Sequence, residues 1–205
     1  MDAAPAQART VSVPAERLRG WLAGFAERHG AMLTDETPEA VRLTGADGAR
    51  AWIEVPFPPL VGSLADHVER DRRVGVLLVR RGGYAAGLFE GNKLVASKVG
   101  SAYVQGTTKA GGSSQQRYAR RRANQATAAF AEAADIAARV LGGEEMAALV
   151  LGGDRAAVRE VLADPRLRHL QDLVHGAWLT VKDPRLRVLA ATPEQFRAVR
   201  IRLDP

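Results

Sequence analysis

The clearest pattern of hydrophobic positions lies near the middle of the chain, where three apolar runs are separated by glycine-containing turns. The runs are Val74–Val79, Tyr84–Phe89 and Leu94 to about Val104, with turns at Gly82–Gly83 and in the sequence EGNK. Apolar, β-prone runs joined by short turns predict a three-stranded antiparallel meander. Because VGVLLV is continuously apolar, we expect its strand to be central in a sheet that is covered on both faces.

A long amphipathic helix is predicted after the meander, over Arg117–Leu141. Its apolar residues recur at helical spacing and form one stripe: Ala119, Ala123, Ala126, Phe130, Ala133, Ala137 and Val140. A separate polar stripe is confined to the first two turns and consists of Arg117, Arg120, Arg121 and Asn124. We expect the helix to pack along the sheet through its apolar stripe and to end at Gly142–Gly143.

The remaining patterns predict shorter elements on either side. Val13–Gly30 is typical of a helix, VRLTGADGARAWIEVPF of a β-hairpin, and the segment from Leu64 to about Arg72 of a second short helix. After the long helix, ALVLGG predicts a buried strand, and DRAAVREVLAD predicts a helix with Asp154 as its N-cap.

Together these elements predict an α/β protein with a mixed, twisted β-sheet and flanking helices. We expect residues 1–10 to form a disordered tail. Residues 11–71 are expected to form an accessory helix and hairpin packed on the main domain, which we place at residues 72–205.

Charge singles out one part of this arrangement. The chain of 205 residues has a formal net charge of +6, yet all of the excess lies between Gly91 and Ala131. That segment has seven basic residues and no acidic one, whereas the rest holds 22 basic and 23 acidic residues. Such a patch is typical of a surface that binds a phosphate backbone, although a solvated arginine-rich helix face would look the same.

Several classes of chemistry are excluded or left without support. The chain has no cysteine, which excludes disulfides and thiolate chemistry. Its four histidines are scattered, and Glu90, Asp154 and Asp164 cannot be assembled from sequence into a two-metal nuclease site. We expect no metal and no cofactor. No apolar run is long enough to span a membrane and no secretory signal is visible, so we expect a cytoplasmic protein with no membrane partner.

The segment Gly106–Ala126, GTTKAGGSSQQRYARRRANQA, joins a glycine loop to the basic start of the long helix. The order of a hairpin with LFEGNK, a third strand, this loop, the helix and ALVLGG resembles the catalytic middle domain of eukaryotic and archaeal class I release factors. It is most similar to their Vms-like branch, whose actinobacterial members are peptidyl-tRNA hydrolases. The resemblance covers about Arg72–Leu170 and implies an RNase H-like fold for the main domain.

The resemblance also implies which residues form the site. Termination factors carry Gly-Gly-Gln, and in the Vms-like branch the glutamine follows a glycine and two small residues, which makes Gln115 the counterpart here. The neighbouring Gln116 leaves a one-residue ambiguity, and Gly111 and Gly112 are the loop glycines. The basic residues that would meet RNA are Lys109, Arg117, Arg120, Arg121 and Arg122.

The implied activity is hydrolysis of the ester of ribosome-bound peptidyl-tRNA, with rRNA of the large subunit and the tRNA as partners. Rival interpretations are a rescue adaptor that binds without hydrolysis, an RNA endonuclease that cuts near the tRNA 3′ end, and a basic protein-interaction module. In another alternative, Ser113 or Ser114 is a plain N-cap and both glutamines are solvated first-turn residues. The sequence does not specify the oligomeric state. It also leaves open whether the substrate is peptidyl-tRNA on isolated large subunits, on whole ribosomes or free in solution.

Overall fold

The structure is a computed structural model and describes residues 8–80, 82–101 and 114–204; for residues 114–119 and 121–124 it describes the backbone only. The described chain divides into two compact units. Unit 1 comprises the described parts of Met1–Arg70 and Pro193–Pro205, and unit 2 is Asp71–Thr192.

Unit 1 is built on a five-stranded, wholly antiparallel sheet. Its strands are β1 (Arg9–Val13), β2 (Met32–Glu36), β3 (Ala40–Gly45), β4 (Arg50–Glu54) and β9 (Val199–Asp204), in the order β1-β9-β4-β3-β2. Its helices are α1 (Leu18–His29), α2 (Leu64–Glu69) and α6 (Pro193–Phe196), with a 3-10 turn at Ala15–Arg17. Alternate residues of β4 and β9 face the core, where Ile53 and Ile201 pack with Leu18 of α1.

Unit 2 contains a mixed four-stranded sheet. Its strands are β5 (Arg73–Arg80), β6 (Gly83–Glu90), β7 (Lys93–Gly100) and β8 (Ala148–Gly153). Its helices are α3 (Ser114–Leu141), α4 (Arg155–Leu162) and α5 (Leu186–Ala190), with a 3-10 segment at Pro165–Leu173. The strands β5, β6 and β7 pair antiparallel, and β8 pairs parallel with β5.

The main elements that the apolar pattern predicts are present in unit 2. The meander is confirmed, and β5 lies between β6 and β8 with Val74–Val79 buried, as the continuous apolar run predicts. The mixed sheet with flanking helices is also confirmed. The strand ALVLGG and the helix capped by Asp154 lie where the sequence places them.

The structure differs from the sequence-based picture at five points. The segment Val13–Gly30 is an α-helix only over Leu18–His29, because Val13 ends a strand and a 3-10 turn precedes the helix. Strand β1 begins at Arg9, inside the expected tail, and β2 was not predicted because four of its five residues are exposed. Helix α3 begins at Ser114, three residues before the expected Arg117. Finally, β9 joins a second sheet in unit 1, although its place in the chain led us to assign residues 193–205 to the C-terminal domain.

Candidate functional site

The candidate site depends on α3, which is anchored through its second half. From Ala129 onward the helix buries one face against the sheet and α4, and this face comprises Ala129, Ala133, Ala134, Ile136, Ala137, Val140 and Leu141. The predicted apolar stripe is therefore confirmed from Ala133 to Val140, with Phe130 half-buried at its edge. A helix held by three turns of buried alanine and aliphatic side chains is a rigid support for whatever its other half carries.

A polar contact adds to this anchor. The guanidinium of Arg166 lies 2.7 Å from the carboxylate of Asp135 on α3 and 2.7 Å from that of Asp164. Hydrogen bonds from the Arg166 side chain and backbone hold the pKa of Asp164 down at about 2. The exposed face of the second half of α3 is thus tied to the segment that follows α4.

The first half of α3 has a different character. The helix has 28 residues, which corresponds to a length of about 42 Å, and its first acidic residue is Glu132. Arg120 is exposed. The first turn of a helix also carries unpaired N–H groups and a partial positive charge, which adds to the positive net charge of this half of the helix.

The sequence-predicted site residues fall on both sides of the start of α3. Gln115 and Gln116 belong to its first turn rather than to a loop. The backbone of the arginine cluster follows within the next two turns, at Arg117, Arg120, Arg121 and Arg122. Lys109, Gly111 and Gly112 lie outside the described residues, as does the rest of the glycine loop from residue 106 to residue 113.

Two residues that sequence reasoning missed lie at the strand end that leads to the loop. Tyr84 of β6 is paired with Gly100, the last residue of β7, and is only 2% exposed. Burial and the nearby carboxylate of Glu132 on α3 raise the pKa of the Tyr84 hydroxyl. Tyr84 thus packs against Gly100 at the end of β7 and belongs to the same core cluster as the buried face of α3. Only knowledge of the strand register would have revealed this pairing.

His67 and the carboxylates considered for catalysis have structural contacts. The buried imidazole of His67 accepts a hydrogen bond from the Val61 backbone N–H and lies 2.9 Å from the Pro56 carbonyl. Asp154 caps α4, and Glu90 lies 3.5 Å from Arg73. Within residues 8–80, 82–101 and 114–204, no group of three histidine or carboxylate side chains is placed to hold a metal ion.

None of the helices in the described chain combines the length and apolar character that a membrane crossing requires.

No curated protein sequence matches the chain. Similar solved structures include the crystal structure of the archaeal translation termination factor aRF1, with 13% identity over 94% of this chain and 68% of that one and a TM-score of 0.39. Another, described as an archaeal protein, has 16% identity, the same coverage and a TM-score of 0.38. With TM-scores this low, neither likeness bears on function.

A match to a family model assigns the chain to a protein family. The model described as "Actinobacteria/chloroflexi VLRF1 release factor" matches residues 72–202, which include the mixed sheet, α3 and α4. The match extends over more than half of the chain and confirms the resemblance found in the sequence. It supports a release-factor-like, ribosome-associated role. The chain belongs to the actinobacterial and chloroflexi VLRF1 release factor family.

Proposed function

We propose that the protein is a peptidyl-tRNA hydrolase that acts on ribosome-bound, stalled peptidyl-tRNA. The observation that carries the proposal is the construction of α3. Its second half is fixed in the core, while its first half begins at Ser114 with two glutamines and continues into an arginine cluster with no acidic residue before Glu132. In a chain of a release factor family, this arrangement suits presentation of an amide group to RNA-bound substrate.

Gln115 is the residue to which we assign the chemistry. Water adds to the ester carbonyl carbon, the carbonyl oxygen becomes a transient oxyanion, and the peptide leaves with a free carboxyl group while the tRNA regains its terminal hydroxyl. A neutral amide can orient that water by donating and accepting hydrogen bonds without acting as a strong base. Unpaired N–H groups in the first turn of a helix can stabilise the oxyanion.

The basic residues have a separate task in this proposal. Arg117, Arg120, Arg121 and Arg122, together with Lys109, would neutralise phosphates of rRNA in the large subunit or of the tRNA acceptor end. Guanidinium groups suit this task because each presents several donors in a planar fork. Gly111 and Gly112 would let the loop adopt backbone angles that other residues avoid in a narrow RNA channel.

The two RNA-directed rivals differ in what they require. An endonuclease needs a metal site or an acid–base pair, whereas the described carboxylates Glu90, Asp154 and Asp164 are taken up by ion pairs and helix caps. An adaptor needs only the arginine surface and no reactive side chain. The candidate glutamine at the start of α3 favours hydrolysis over both.

Incubation of the protein with ribosome-bound peptidyl-tRNA tests the proposal when both products are analysed. Isolated large subunits and whole ribosomes serve as separate substrates. We expect free peptide together with tRNA that keeps its complete 3′ end, and no direct effect of chelators. A shortened tRNA would indicate the endonuclease, and stable binding without product would indicate the adaptor; either result would overturn the hydrolase proposal.

A further inference from the structure

Unit 1 contains an open cleft of about 290 Å³ for which the proposed hydrolysis has no use. It lies at one end of the unit's core, between α1 and the sheet. Its apolar floor is formed by Trp21, Phe25, Ala49 and Leu203. All residues that line it fall outside residues 72–202, the part of the chain that the family model matches.

The floor of the cleft has an aromatic character set by the spacing of α1. Trp21, Phe25 and His29 are four residues apart, so they lie on one face of the helix. The rings of Trp21 and Phe25 are stacked, with centroids 5.4 Å apart and an angle of 21° between their planes. The centroids of the Phe25 and His29 rings are 4.5 Å apart. Phe25 is 2% exposed, whereas Trp21 is only half-buried and can accept a further ring.

The rim of the cleft is cationic. Arg9, Arg28 and Arg50 are exposed and line the opening, and none of them forms an ion pair with another residue in the part of the chain that the structure describes. By contrast, Arg19, which lies on α1 like Arg28, forms ion pairs with the carboxylates of Asp66 and Glu69. Arg9 reaches this position because it lies opposite Leu203 and two residues before half-buried Val11, on the core side of β1.

The remaining polar groups restrict the ligand further. Asp204 also lines the cleft, 3.6 Å from Arg202, and its carboxylate would repel a ligand that is anionic throughout. The same carboxylate can accept a hydrogen bond from an exocyclic amino group of a base. His29, which also lines the cleft, is hydrogen-bonded to Asp47 at 2.8 Å. The ligand therefore needs a flat aromatic part with hydrogen-bond donors and a separate anionic part.

We propose that this cleft binds one unpaired RNA nucleotide, with its base against Trp21 and its phosphates at Arg9, Arg28 and Arg50. Stacking on an aromatic side chain next to arginine contacts to the backbone is the general mode by which proteins hold single-stranded nucleic acid. The choice of RNA over another aromatic anion rests on the release-factor role. Unit 1 would thus supply an RNA contact separate from that of α3.

The test measures binding of a fluorescently labelled, unstructured RNA of about five nucleotides to the full chain. The parent protein carries Arg117→Glu, Arg120→Glu and Arg121→Glu, which removes the arginine surface of α3. In this parent, Arg28→Glu and Trp21→Leu should each weaken binding about tenfold, whereas Trp21→Phe should retain most of the affinity because it keeps a ring. Arg17→Glu is the matched control, since Arg17 is exposed in the same unit but does not line the cleft.

Equal affinities of the Arg28→Glu and Arg17→Glu variants would overturn the proposal, as would equally strong competition by inorganic polyphosphate of matched charge. Arg28 is exposed, so its substitution reports on binding even if the Trp21→Leu protein fails to fold. The assay contains neither ribosomes nor peptidyl-tRNA. A failure of the hydrolase proposal would therefore be seen only in the release assay, and a failure of the cleft proposal only in this RNA-binding assay.

Discussion

The ring of Tyr84 covers the backbone of Gly100 across the β6–β7 pair. The two residues are directly opposite in the register, and a Cβ atom added at Gly100 would overlap the tyrosine ring. Gly100 is the last residue of β7, so this contact lies where the chain leaves the sheet.

Gly100→Ala should therefore lower stability and impair peptide release together. The added methyl group would force the buried Tyr84 ring out of place, which costs about 1–3 kcal/mol for an overpacked core. Urea unfolding measures the loss. Gly82→Ala is the matched control, because no atom lies within 4 Å of a Cβ at that turn residue. Equal unfolding midpoints for the two variants would contradict the importance of the Tyr84 contact.

Gln115→Ala should preserve the fold and ribosome binding but reduce peptide release by about 10²–10⁴-fold, as expected for the loss of one group that positions water. Gln116→Ala should cost much less; the opposite order would shift the catalytic position by one residue. Gly112→Ala should also slow release, by restricting the loop. Single-turnover release from ribosome-bound peptidyl-tRNA measures each rate, and full activity of both glutamine variants would refute the mechanism.

Reversing the charge of Arg117, Arg120 and Arg121 should weaken ribosome binding and leave the melting temperature nearly unchanged. Binding of the unmodified protein should weaken steeply as salt rises, because phosphate contacts release counterions. The matched control reverses three exposed arginines elsewhere in unit 2, namely Arg159, Arg168 and Arg187. Co-sedimentation with large subunits across a salt series separates the two variants. If both lose affinity equally, net charge rather than the α3 surface is responsible.

Asp154→Ala should destabilise the protein by about 1 kcal/mol without changing the chemistry of release. The Asp154 carboxylate accepts hydrogen bonds from the backbone N–H groups of Ala156 and Ala157, at 2.9 and 3.3 Å, and so completes the start of α4. Asp154→Asn should retain most of the stability because asparagine caps helices equally well. Chemical unfolding compares the three proteins; similar losses in both variants would point to the charge rather than the cap.

The elements that could be predicted are those whose pattern is complete within a short stretch of sequence. The apolar periodicity of Ala133–Val140, the continuous run of β5 and the aspartate before α4 each reflect local chemistry. Strand β2 has no such pattern, because only Met32 is even half-buried. The parallel pairing of β5 with β8 joins segments about 70 residues apart, and nothing local specifies it.

Prediction of the site was limited in the same way. The glutamines and arginines were found because they cluster in sequence, and the structure adds that Gln115 and Gln116 start a helix. Tyr84 and Gly100 are 16 positions apart and become neighbours only through the strand register. The aromatic face of α1 follows a spacing of four, but its basic rim combines Arg9, Arg28 and Arg50 from three different elements.

The place of β9 in the first sheet has a consequence for synthesis of the chain. This strand pairs with β1 on one side and β4 on the other, and it buries Val199 and Ile201 completely. Unit 1 therefore lacks a middle strand until residues 199–204 have emerged, whereas unit 2 is contiguous and can fold earlier. The unit that carries the proposed hydrolase site would thus be complete first, whereas unit 1 would still lack β9.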